Sequence, residues 1–201
     1  MLRYPNGKPY TPASTTETAG NKSPEYARRG MTLEEDLNQS NKYYLNHGVA
    51  VIHKKPTPIQ IVDVHYPKRS AAKITEAYFK QPSTTDYNGV YRGHYIDFEA
   101  KETRNAASFP MKNLHAHQLL HMEEIQRHGG LAFVLIRFTA SQQTFLLDAT
   151  HVLHFQANLD TYKRKSMPLP YIEEHGQIIA MGFAPRIDYL KAVDHYYFSH
   201  L

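Results

Sequence analysis

Three observations point to an α/β fold with a mixed central sheet flanked by helices. They are a capped amphipathic helix over 31–47, strand-like segments over 84–101, and a second helix over about 113–128 that leads straight into the apolar segments 131–138 and 144–147. The length of 201 residues suits one domain with a sizeable core. The chain has no Cys, which excludes disulfide frameworks, thiolate zinc sites, iron–sulfur clusters and cysteine nucleophiles, and fits a reducing compartment.

Residues 1–29 are rich in Thr, Ser, Asn, Pro and Gly and poor in aliphatics. They read as a flexible tail, because such a composition cannot offset the entropy of ordering it. The folded domain is expected over 30–201. Its first helix opens on Thr32-Leu33-Glu34-Glu35, a capping box that satisfies orphan donors of the first turn. Leu33, Leu37 and Tyr44 recur at helical spacing, and Gly48 supplies the stop. A short apolar strand over 49–52 follows. Lys54-Lys55-Pro56-Thr57-Pro58 then interrupts the chain, and about 54–83 reads as a basic, partly extended insertion projecting from the domain. Alternation from Ile59 to Tyr66 is imperfect, and 71–79 is compatible with helix or strand. The second helix is closed by Gly129-Gly130, and 186–198 reads as a terminal helix. No run approaches the ~18 apolar residues of a membrane span and the start of the chain is polar, so a cytoplasmic protein without membrane contact is expected.

The formal charge of +4 is mild, so its distribution matters more than its total. Within 53–80, Lys54, Lys55, Lys68, Arg69, Lys73 and Lys80 stand against Asp63 and Glu76, an excess of four positive charges in that segment. A solvated basic arm is the plain explanation. Phosphate binding is the functional one.

The segment 84–101 carries the chemistry. If its two strands reverse at Arg92-Gly93, paired positions have a constant sum of 185, which sets Asp86 opposite Glu99 and Thr84 opposite Lys101. Ile96, Phe98 and Ala100 then point to the other face, into a core. Opposed carboxylates about 5 Å apart repel unless a cation lies between them. Hard oxygen ligands suit Mg²⁺, with Mn²⁺ as a substitute, and Lys101 adds a positive charge that can stabilise a pentacovalent phosphate. Gln118 falls on the sheet-facing stripe of the second helix with Leu114, His121, Met122 and Ile125, where its amide needs a partner. Alternatives stay open on spacing alone. Asn88-Gly89 is the stronger turn dipeptide and would separate the acids, opposed acids on a hairpin are often solvated surface charges, and Gln118 is also readable as a core amide. His115, His117 and His121 do not share one helical face, which argues against a zinc site.

Asp86 followed by Glu99-Ala100-Lys101 resembles the PD-(D/E)xK nuclease signature, with Thr85 where the name-giving Pro would stand. The surrounding text is more specific. Arg3-Tyr4-Pro5-Asn6-Gly7-Lys8, Arg29-Gly30-Met31-Thr32-Leu33-Glu34, His53-Lys54-Lys55-Pro56-Thr57-Pro58, His65-Tyr66-Pro67-Lys68-Arg69-Ser70-Ala71-Ala72 and Ala184-Pro185-Arg186-Ile187-Asp188-Tyr189 resemble the RecU family of bacterial Holliday junction resolvases nearly end to end.

The resemblance implies a restriction-endonuclease-like core and a homodimer that nicks four-way DNA junctions symmetrically with Mg²⁺, leaving 5′-phosphate and 3′-hydroxyl ends, in recombination and repair. It implies metal ligands at Thr84, Asp86, Glu99 and Gln118, a transition-state-stabilising lysine at Lys101, and a supporting first-helix carboxylate, for which Glu34 is chosen over Glu35. The basic insertion matches the family's stalk, with Lys54, Lys55, Lys68, Arg69, Lys73 and Lys80 on phosphates and Tyr78 and Phe79 as stacking or wedging groups at the branch point. Recombination and branch-migration proteins are further expected partners. The rival readings are a non-cleaving junction-binding or strand-annealing scaffold and a nuclease acting on plain duplex.

Overall fold

The computed structural model describes residues 31–68, 71–80 and 83–199. Helix α1, Leu33–Asn46, starts as its sequence dictates: Thr32 caps Glu35 N–H while the Glu35 side chain accepts from Thr32 N–H. It ends at Gly48, whose φ of 65° lets Val49 N–H bond back to Tyr44 O at 2.9 Å. Val49 therefore belongs to the helix stop, and the expected strand over 49–52 is found two residues later as β1, Val51–Lys54.

The basic insertion is a two-stranded antiparallel ribbon of β2, Ile59–His65, and β3, Lys73–Phe79. The imperfect alternation of β2 has a cause: the pairing slips on either side of Asp63, as a bulge requires. Segment 71–79, compatible with helix or strand in the sequence, becomes a strand from Lys73 because β2 offers it a ladder. Nearly all of the ribbon is exposed, including Tyr78 and Phe79, the latter 84% exposed.

Strands β4, Tyr87–Tyr91, and β5, His94–Thr103, pair antiparallel from Tyr87↔Phe98 to Tyr91↔His94. The reversal is at Arg92 and Gly93, both with positive φ, and the expected constant sum holds at every pair. Asn88 and Gly89 lie inside β4 instead of in a turn. Gly89 is there for space, since a Cβ on it would sit 2.0 Å from Val51 O on β1.

Strand β6, Ser108–Pro110, leads through a 3₁₀ turn at Met111–Asn113 to α2, Ala116–Arg127, a later start than about 113. The chain returns along β7, Leu131–Phe138, parallel to β5, and turns into β8, Gln143–Asp148. Beyond it lie α3, Ala149–Ala157, α4, Leu159–Tyr162, β9, Ser166–Pro168, α5, Leu169–His175, and β10, Gln177–Ile179, none of which the sequence patterns disclosed. The expected terminal helix is shorter, α6, Tyr189–Val193, followed by a π-helical turn at Asp194–Phe198.

The main sheet runs β1-β4-β5-β7-β8-β10 and is mixed through the parallel β5–β7 pair, which α2 connects. Both its faces are covered. Alternation sends Ile96, Phe98, Phe133 and Leu135 to a core with Leu37 of α1 and Tyr189 of α6. It sends Val134, Ile136 and Phe145 to a second core with Met122 of α2 and Phe155 of α3. Asp97, Glu99 and Lys101 fall on this second side, where α2 passes over the sheet. Buried Arg137 of β7 pairs with Asp36 of α1 at 2.6 Å and ties that helix to the sheet. Among the described residues, no helix is long and apolar enough to cross a membrane.

Gly89→Ala should destabilise the protein by about 3 kcal/mol or more, because the added carbon meets backbone on β1 and the strands must part. Urea denaturation measures this, and a loss within the ordinary surface range of about 0.5 kcal/mol would contradict the packing described.

Candidate active site

The β4–β5 register places Asp86 one step before the ladder begins, beside Glu99. Asp86 Oδ2 accepts a long hydrogen bond from Ala100 N–H, 3.4 Å. Glu99 is fully buried in the middle of β5 with Val134 of β7 alongside. Lys101 Nζ lies 2.6 Å from Glu99 Oε1 and pairs with it. Glu99 Oε2 is buried with no hydrogen-bond donor among the described residues. Such a group is expensive unless something else satisfies it. Burial, and secondly the Asp86 carboxylate, hold the Glu99 carboxyl up at about 7 against an ordinary 4.5, with Lys101 opposing both.

These groups line an open cleft of about 970 Å³ together with Lys55, Thr84 and Gln118. Gln118 is nearly buried, and its Oε1 accepts from His115 N–H at 2.9 Å. The amide oxygen therefore finds a donor at the start of its own helix. A neighbouring cleft of about 490 Å³ shares Asp86 and Lys101 and is bordered by Glu34 and Glu35. Glu35 is occupied in capping α1, whereas Glu34 is exposed and ion-paired with Lys54. Among the described residues no three His, Cys, Asp or Glu side chains gather as metal ligands. The donors on offer are two carboxylates with a neutral hydroxyl and an amide, an all-oxygen set that suits a hard divalent cation.

Asp97 is a second fully buried carboxylate, to which the sequence assigned no role. It receives Lys55 Nζ at 2.6 Å, Tyr95 Oη at 2.9 Å and Thr85 Oγ1, and His121 Nε2 lies 3.3 Å away. Lys55, grouped in the sequence with cations that would face phosphate, is turned inward by this pairing. Alternation along β5 signalled Asp97, since it shares a face with Glu99. The inward turn of Lys55 carried no comparable sequence signal. His115 and His117 stack at 5.6 Å, and burial, with His115 and Lys101 adding to it, lowers the His117 pKa.

A family model described as RecU, Recombination protein U, matches residues 28–195. This chain belongs to the RecU family. A Holliday junction resolvase RecU of Geobacillus sp. (strain WCH70) is 58% identical over 200 residues, covering the whole of both chains. Its counterpart in Geobacillus kaustophilus (strain HTA426) is 57% identical over 198 residues, 98% of each chain. The one in Bacillus cereus (strain B4264) is 56% identical over 198 residues, 98% of this chain and 99% of its own.

In this RecU-family chain the structure brings Thr84, Asp86, Glu99, Lys101 and Gln118 to one cleft. Lys54 borders that cleft, while Lys68, Lys73, Tyr78, Phe79 and Lys80 belong to the exposed ribbon and its ends. Arg69, Ser70 and the tail with Arg3 to Lys8 lie outside the described residues.

Because its folded-state pKa is raised, Glu99 supports the metal-free fold fully below about 4.5 and loses that contribution as pH rises through about 7. The loss is on the order of 3 kcal/mol. Urea denaturation in EDTA across this window should show a steeper decline for wild type than for Glu99→Gln. Parallel profiles would overturn the assignment.

Proposed function

We propose that this chain is a Holliday junction resolvase, an endonuclease that uses Mg²⁺ held by Asp86 and Glu99, with Thr84 and Gln118 completing or supporting the shell. The observation that carries this is Glu99: a fully buried carboxylate beside a second acid, with the Lys101 ammonium on one oxygen, lining an open cleft. Relatives of the same length and more than half identical bear the name Holliday junction resolvase RecU. A bound Mg²⁺ supplies Lewis-acid polarisation of the phosphate and a water of lowered pKa. Asp86 and Glu99 fix where that charge sits. Lys101, whose ammonium reaches the Glu99 carboxylate, stands where it can orient the water and stabilise the negative charge that grows on phosphorus during in-line attack. Glu34 supports the site from the adjoining cleft.

Paired, symmetric nicks require two such sites related by a two-fold axis, so the working unit is a homodimer. The ribbon is the junction reader. Lys68, Lys73 and Lys80 neutralise phosphates without reading sequence, and Tyr78 and Phe79 present exposed rings to unstacked bases at the branch point. The substrate is four-way junction DNA, met in the cytoplasm.

The assay uses labelled four-way junction and matched duplex, with Mg²⁺ or EDTA. Wild type should nick the junction in pairs only with Mg²⁺, and Asp86→Asn and Lys101→Ala should each lower the rate about 100-fold or more. Binding without any nicking would support a scaffold, and equal cutting of duplex would support a restriction-type enzyme. Phe79→Ala should reduce the preference for junction over duplex about tenfold, the scale of one lost base stack. An unchanged ratio would remove Phe79 from junction reading.

A further inference from the structure

Thr84 and Asp86 precede the regular pairing of β4, so the ladder itself does not fix them. A local bonding set does. Lys55 N–H donates to Asp86 O at 2.7 Å, and the same residue's Nζ donates to Thr85 Oγ1 at 3.0 Å and to Asp97 Oδ2 at 2.6 Å. Thr85 Oγ1 donates in turn to Asp97 Oδ1. Strand alternation would send Thr85 to the face of Phe98, away from Asp97, so this bond exists only because the chain bends before β4. Thr85 is 3% exposed and Asp97 is fully buried. The backbone of Asp97 is held by the sheet, since β5 is paired on both sides at that level, to Asn88 and to Ala132.

We propose that Asp97, Lys55 and Thr85 are positioning residues, a strut from the fixed strand β5 to the irregular segment 84–86 that sets the separation of Asp86 from Glu99. The inference rests on the reading of those two acids as cation ligands. Its content is that cation affinity depends on three side chains that are not ligands, in the way outer-shell partners hold ligating groups in register. Lys55 serves this strut from between Thr85 and Asp97.

The test is Mn²⁺ binding by the full-length protein without DNA, followed by electron paramagnetic resonance, with thermal melting and four-way junction affinity in EDTA measured alongside. Thr85→Val should weaken Mn²⁺ binding about 10- to 100-fold while junction affinity in EDTA stays near wild type, and Thr85→Ser should restore it. Lys55→Met separates the strut from simple charge: deleting a cation beside a cation site would tighten Mn²⁺ binding by electrostatics alone, whereas the strut requires weaker binding. It also carries the test if Thr85→Val does not fold. Asp86→Asn is the control. If it binds Mn²⁺ like wild type, the cation site itself is misassigned. If it loses Mn²⁺ while Thr85→Val or Lys55→Met keeps or improves wild-type affinity, the strut is refuted and the site stands.

Discussion

Glu99 is fully buried where α2 crosses the sheet, and much of the surrounding architecture answers to that placement. A carboxylate so enclosed is unstable as an anion unless positive charge is brought to it. Lys101 brings some from its own strand. The second acid, Asp86, makes the deficit worse. Asp97, equally buried two residues away, shows the opposite solution, with Lys55, Tyr95 and Thr85 converging on it. One strand therefore carries, side by side, an acid on which several donors converge and an acid with a single cation beside it.

The fold makes this contrast achievable because both faces of the sheet are covered. The aromatic core with Phe98 and Tyr189 anchors β5 from behind, so the acids on its other side cannot withdraw from α2. The parallel β5–β7 pair, with α2 between them in sequence, puts a helix above the acids and leaves the cleft open toward the ribbon. The ribbon itself has no core. It keeps its shape by cross-strand pairing alone, which leaves its rings and lysines facing solvent.

Much of the site was legible because its determinants are local. The sum rule for the Arg92-Gly93 reversal needs only a turn position, and it located the neighbouring acids and the core-facing Ile96 and Phe98 without reference to any other element. The same holds for α1, whose Thr32 and Glu35 cap each other. What escaped was set at long range. Lys55 looks like one more cation in a basic run, and only Asp97, 42 residues away, turns it inward. Several elements between Ala149 and Ile179 escaped for a related reason: α4, β9 and β10 are three or four residues long, too short to display a period, and are held by partners in other elements, β9 by β6, β10 by β8 and α4 through Tyr162 against Phe155 and Tyr171.

The reversal at Arg92 and Gly93 is solvent-facing, and Arg92 is fastened to the C-terminal turn by its ion pair with Asp194 at 2.9 Å and by its guanidinium over the Phe198 ring. Loops of this kind usually drift in length between relatives. What this reversal must keep is the phase of the pairing: any change that slipped the strands by one step would carry Asp97 and Glu99 into the aromatic core and Phe98 out to the cleft. An extra residue here is therefore harmless only where it bulges out of the turn and leaves the two strands in step.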